Sequence, residues 1–166
     1  ETIGFHFGKI SCYFDKMREL DQIDARLLRE LQRDADQPLD RLSDTVGLSR
    51  NALWRRIKLL EEAGIIRGKV ALLDARALGL TLTVFMQIEA AKDDAGWLTD
   101  FAGVARSLPR VQAVFRMTGE LDFLIQARVR DMADYDRLYQ SLVAKVPLGD
   151  VSASFVMEEI KATTEL

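Results

Sequence analysis

Between Leu48 and Leu60 the chain reads LSRNALWRRIKLL. This places Arg50, Arg55, Arg56 and Lys58 within nine residues, with no acid among them. Acids outnumber bases over the whole chain, for a formal net charge of −3. A basic run in an acidic chain suits an anionic partner. Arg and Lys neutralise phosphates, Arg can pair with guanine, and Asn, here Asn51, can pair with adenine. On a helical wheel Leu53, Ile57 and Leu60 share one face, while Asn51, Arg55 and Lys58 share the opposite one. Trp54 flanks the basic face, and Arg50 sits in the first turn. The bland alternative is a solvated amphipathic helix, which many basic helix faces are.

The elements around this stretch decide between the two. Leu20, Ile23, Leu27, Leu28 and Leu31 have helical spacing and predict a helix to Arg33, capped by Asp21 with Asp24 in its first turn. Asp34 to Pro38 ends it. A short helix is predicted from about Leu39 to Val46, with Leu42 and Val46 inward. Gly47 then gives a tight turn, because glycine tolerates positive φ. Ser49 caps a third helix running to about Ala63, and Gly64 stops it. Two helices joined across a glycine turn, behind a supporting helix, are the sequence form of a helix-turn-helix. In that setting Ser49, Arg50, Asn51, Trp54, Arg55 and Lys58 are the expected DNA-binding residues. Residues 17–73 carry 11 Lys/Arg against 10 Asp/Glu, so affinity must come from local placement. Ile65 to Leu73 reads as two short strands about Gly68, or one bent strand. Residues 74–79 are the expected linker.

The second half contains an internal repeat. Val111-Gln112-Ala113-Val114-Phe115-Arg116-Met117 has the pattern V-x-A-x-F-x-M, and so does Val151-Ser152-Ala153-Ser154-Phe155-Val156-Met157. Each copy follows a helical stretch that ends near a proline, Pro109 or Pro147. Before each helix lies a strand, Leu80 to Glu89 in one case and Leu121 to Val129 in the other. Strand–helix–strand twice over is the ferredoxin-like βαββαβ arrangement. The fold class is therefore α+β: a helix-turn-helix domain over 17–73, then a ferredoxin-like domain over 80–166. Thr118-Gly119-Glu120-Leu121-Asp122 joins the two repeats as a predicted hairpin turn. It gathers Thr118, Glu120, Asp122 and free backbone groups around one glycine. Such a turn can hold a small zwitterion, or it is an ordinary polar turn.

Composition narrows the function classes. The only histidine and cysteine, His6 and Cys12, lie in the first stretch, so residues 17–166 lack the commonest base, metal ligand and thiol nucleophile. Glu120 and Asp122 could be imagined as an acid–base pair, but no nucleophile-and-base constellation accompanies them, and no enzyme is expected. No apolar run approaches the ~20 residues of a membrane helix. No signal peptide is apparent, and one cysteine cannot form an internal disulfide. These features favour the cytoplasm. Residues 1–16, rich in Phe, Tyr and Gly, read as an appendage, a tag or an extension. A genuine N-terminal strand is the alternative.

The sequence resembles the Lrp/AsnC family of transcription regulators, the leucine-responsive or feast/famine type, over nearly all of residues 17–164. The likeness rests on the order and spacing of several motifs: Leu20–Asp24, Val46–Ser49, Arg56–Glu61 with Gly64–Ile66, Gly119–Phe123 and Val156–Lys161. Trp54 and Gly68–Asp74 point toward the DecR-like branch. The resemblance implies a sequence-specific regulator of double-stranded DNA, with no cofactor but an amino-acid effector. It implies homodimers assembled into tetramers, octamers or larger rings, with the effector held between dimers near Thr118, Gly119, Glu120, Leu121 and Asp122. Glu120 stands where many relatives carry Asp. Arg50-Asn51-Ala52 stands where relatives often carry Pro or Thr, so the operator sequence does not carry over. The alternative function is a nucleoid-type architectural DNA-binding protein without an effector.

Overall fold

The computed structural model describes residues 20–91 and 95–166. The appendage reading of residues 1–16 falls outside them. The described chain forms two units, one of residues 20–71 with 162–166 and one of residues 72–161.

The first unit holds α1 (Gln22–Arg33), α2 (Leu39–Val46) and α3 (Arg50–Glu62). Asp21 starts α1 as expected. Its carboxylate accepts the Asp24 N–H at 2.7 Å, and the Asp24 carboxylate accepts the Asp21 N–H at 3.4 Å, a reciprocal cap. Leu20 stays outside the helix and 47% exposed, so it does not join the core predicted from its spacing. Gly47 takes φ 76° between α2 and α3, and the Ser49 hydroxyl oxygen accepts the Ala52 N–H at 3.4 Å. Leu27, Leu42, Val46, Leu53 and Leu60 pack together as the core of the unit. Gly64, at φ 72°, ends α3 as predicted, and the Ile65 and Ile66 N–H groups return to the Leu60 carbonyl.

The strands expected over Ile65 to Leu73 do not form: among the described residues none from 65 to 73 is in a strand. Ile66 packs on the helical core, while the apolar side chains further along are in water, with Val70 84%, Leu72 75% and Leu73 74% exposed. A strand is held by the neighbour that takes its N–H and C=O groups. Apolar residue type alone does not supply one.

The second unit is an antiparallel sheet of β1 (Leu82–Ala90), β2 (Val111–Arg116), β3 (Phe123–Val129) and β4 (Leu148–Phe155), in the order β2-β3-β1-β4. Helices α4 (Ala95–Ser107) and α5 (Met132–Val143) complete the predicted βαββαβ order. The repeat explains the layout, since its two copies supply β2 and β4, the two edges of the sheet. Val84, Met86, Ile88, Ile125, Ala127 and Val129 form the sheet's side of the core. Trp97 stacks on Phe101 there at a centroid distance of 5.0 Å, and Phe123 is tilted against both at 5.6 and 4.6 Å. Strand alternation turns Phe85, Gln87, Leu124, Gln126 and Phe115 to the other face, where Phe115 is 48% exposed.

Asp131 caps α5 and accepts the Asp134 N–H at 2.7 Å. Asp134 is buried and meets Arg110 at 3.2 Å, Arg130 at 3.2 Å and Arg137 at 3.0 Å. The hydrogen bonds from Arg130, joined by Arg137 and the charge of Arg110, outweigh burial and hold its carboxyl well below the ordinary value of 3.8. A depressed acid stabilises the fold above its unfolded pKa and loses that contribution as pH falls through its folded value. Asp134→Ala should therefore lower thermal stability at neutral pH by about 1–3 kcal/mol. The gap between the two proteins should narrow as pH falls below 3.8. Thermal denaturation followed by circular dichroism at both pH values checks this; an equal gap at both would sink it.

Candidate DNA-reading helix and ligand turn

Helix α3 divides its cations between structure and solvent. Leu53 and Leu60 are fully buried and fix its inner face. Taking Asn51 as zero and 100° per residue, Trp54, Lys58, Asn51 and Arg55 fall within about 100° of arc on the far side. All four are exposed. Lys58 Nζ lies 5.6 Å from the centroid of the Trp54 ring, a cation–π contact that holds the two side chains together. Arg56 lies about 100° beyond Arg55 and turns toward α1. Its Nη1 is 2.8 Å from the Asp24 carboxylate and 2.6 Å from that of Asp21. The Asp24 N–H and the Arg56 guanidinium hold the Asp21 carboxyl below its ordinary range; the pair of acids in turn raises Arg56.

Arg50 is the other diverted cation. Its Nε lies 2.7 Å from the Asp40 carboxylate of α2, with both side chains about two-thirds exposed. Such a pair is weak in water and yields to a stronger anion. Ser49 spends its oxygen on the cap, which leaves its O–H as a donor. The expected set is thus brought together on one end and one side of α3. Sequence reading missed Asp40 as the partner of Arg50 and Asp24 as the partner of Arg56. The signal for the second was the wheel position of Arg56, off the outward stripe.

Residues 118–122 join β2 to β3 as the predicted hairpin turn. Gly119 takes φ 120°, and the Met117 N–H donates to the Asp122 carbonyl at 2.8 Å. Thr118 and Glu120 are exposed, and Leu121 is half-buried. Asp122 is committed further than the sequence suggested. Its N–H reaches the Ile88 carbonyl at 3.1 Å, and its carboxylate accepts the Ala90 N–H at 2.8 Å. It clamps the turn to the end of β1 while keeping acceptor capacity on its second oxygen. Beside β2 lies an open groove of about 460 Å³, lined by Phe101, Ala105, Arg106, Val114, Arg116 and Phe123. An apolar floor with two guanidinium groups was not foreseen from the sequence, because it depends on how α4 packs across β2 and on Phe123, which β3 brings to the same place.

Comparison with known proteins bears on both features. Residues 20–67 match the winged helix-turn-helix DNA-binding family, and residues 83–166 match the Lrp/AsnC ligand binding domain family. The chain is 44% identical over 150 residues to the glutamate uptake regulatory protein of Zymomonas mobilis subsp. mobilis, covering 90% of this chain and 92% of that protein. It is 45% identical over 148 residues to the DNA-binding transcriptional activator DecR of Escherichia coli strain K12, covering 89% and 97%. Among solved structures, a transcriptional regulator from Neisseria meningitidis in complex with L-Met superposes with a TM-score of 0.84 at 36% identity. That match covers 89% of this chain and 96% of that one.

The adjacent arginines of α3 should separate cleanly. Arg56→Ala should destabilise the helical unit by about 1–3 kcal/mol, because it strips charge-assisted hydrogen bonds from buried Asp24. Arg55→Ala should leave stability within about 0.5 kcal/mol of the parent. Urea denaturation followed by helical circular dichroism measures both, and equal effects would refute the division.

Proposed function

The chain belongs to the Lrp/AsnC family of transcriptional regulators, and within that family we propose that it reads double-stranded DNA through Ser49, Arg50, Asn51, Trp54, Arg55 and Lys58. The observation that carries this reading is the exposed stripe of Asn51, Trp54, Arg55 and Lys58, directly opposite the buried Leu53 and Leu60. Asn and Arg supply base-edge hydrogen bonds, and Lys58 and Arg50 supply phosphate contacts. Residues 17–73 act as the DNA-binding domain and residues 80–166 as the effector and assembly domain. The setting is the cytoplasm; no helix among the described residues is long and apolar enough to cross a membrane.

The effector in this reading is a small amino acid at Thr118, Gly119, Glu120, Leu121 and Asp122. An ammonium group suits the Glu120 and Asp122 carboxylates, and a carboxylate suits open backbone N–H groups with Arg116 nearby along the strand. The L-Met bound in the Neisseria relative supports this class of ligand. The working form is a homodimer that assembles further. Exposed Val70, Leu72 and Leu73 support that, as does the sheet face with Phe115, because a second copy would cover both. A two-fold dimer presents two copies of α3 to half-sites about one DNA turn apart. Effector and DNA then bias one assembly, with a reciprocal coupling of about 1–3 kcal/mol.

Fluorescence anisotropy tests this on DNA from upstream of the protein's own gene, against a shuffled fragment, with a panel of amino acids. Tighter binding to the native fragment, altered by one amino acid, is the expected result. Equal binding to both fragments, indifferent to every amino acid, would discard it. Arg55→Ala should weaken specific binding about tenfold with assembly unchanged by size-exclusion chromatography. Glu120→Ala should raise the amino-acid concentration needed for the response while DNA affinity without effector stays the same. Glu120 is the cleaner probe, because Asp122 also holds the Ala90 N–H.

A further inference from the structure

Trp54 is the anomaly of α3. Tryptophan is among the more buried residue types on average, yet this one is 56% exposed on an otherwise polar stripe. Its neighbours on the stripe, Asn51, Arg55 and Lys58, all carry hydrogen-bonding groups suited to base edges or phosphates. The indole offers mainly apolar surface. Lys58 Nζ, 5.6 Å from the ring centroid, restrains the ring and carries a charge that a phosphate would hold at the groove wall. The ring stands between Asn51 and Lys58, about one helical turn from each along the stripe.

The major groove presents one apolar feature at a base edge, the C5 methyl of thymine. We infer that Trp54 is a specificity-determining residue that packs its indole on a thymine methyl, so that α3 selects a thymine at one position in each half-site by apolar contact. This rests on α3 being the DNA-reading helix, and it adds a discrimination that Asn51, Arg55 and Lys58 cannot make. Removing the methyl leaves every hydrogen bond of the base pair in place. The contribution is then isolated as the burial of one methyl-sized group, about fourfold in affinity.

The test uses the full chain and a labelled duplex that it selects from a randomised pool. Each thymine is replaced in turn by deoxyuridine, and affinities are measured by anisotropy for the parent, Trp54→Ala and Trp54→Phe. In the parent, one thymine per half-site should lose about fourfold in affinity on replacement. Trp54→Ala should bind the thymine and uracil duplexes alike, and Trp54→Phe should keep the preference. No thymine dependence in the parent would overturn the inference, as would a dependence that survives in Trp54→Ala. Loss of the preference in Trp54→Phe equal to that in Trp54→Ala would overturn it too, because apolar packing of an aromatic ring on the methyl survives that exchange. If the chain selects no duplex at all, the DNA reading of α3 itself fails and the inference falls with it.

Discussion

The carboxylate of Asp24 organises the helical unit. It sits 1% exposed at the third position of α1, where it closes the cap with Asp21 and receives Arg56 from α3. A buried charge is tolerable only when it is paired and hydrogen-bonded. That requirement constrains where α3 can lie against α1 more tightly than hydrophobic packing does, because packing is forgiving of small slides and rotations. With Arg56 held inward, the wheel leaves Asn51, Trp54, Arg55 and Lys58 no position but the outer one. The outward stripe of α3 thus follows from a contact on its opposite flank.

The sheet unit uses the same device. Asp131 and Asp134 repeat the spacing of Asp21 and Asp24, with the first acid at the N-cap and the second at the third helical position. In both units the second carboxylate is buried and draws arginine from outside its own helix, Arg56 in one and Arg110 in the other. An acid near a helix N-terminus is stabilised by the helix dipole and open N–H groups, which lowers the cost of burying it. The arginine then ties the helix to an element distant in sequence.

Much of this could be read from the chain. The bounds of α2 and α3 were legible because Gly47, Ser49 and Gly64 are turn and cap residues with local mechanisms, which need no knowledge of the rest of the fold. The sheet was legible because V-x-A-x-F-x-M occurs twice in equivalent places, and its copies became the two edge strands. The stretch from Ile65 to Leu73 was misread because strand formation is decided by a partner, and Val70, Leu72 and Leu73 lie exposed. Arg55 and Arg56 show the other limit. They are adjacent and chemically identical, and only a turn of about 100° assigns one to solvent and one to Asp24. In the ligand turn, the residues were legible as a polar cluster. The clamp from Asp122 to Ala90 was not, because β1 ends about thirty residues earlier in the chain and meets the turn only in the folded sheet.

The net charge that seemed to oppose DNA binding is resolved by the same pairing. Residues 17–73 are close to neutral by count, but the acids of the described helices are not spread evenly over the surface. Asp21 and Asp24 are occupied by Arg56, Asp40 by Arg50 and Glu30 by Arg33. On the outer side of α3 the acids, Glu61 and Glu62, come only in the last turn, so the stretch from Asn51 to Lys58 presents cations without an acid among them whatever the sum over the chain. The field there is modest, since one copy of α3 offers two outward cations, Arg55 and Lys58, with Arg50 available on exchange from Asp40. Each phosphate neutralised contributes through counterion release, and a few per protomer give weak binding at physiological salt. A surface of this kind reaches useful affinity only when several copies engage one DNA together. An amino acid that alters how copies are held would then regulate DNA binding without touching α3.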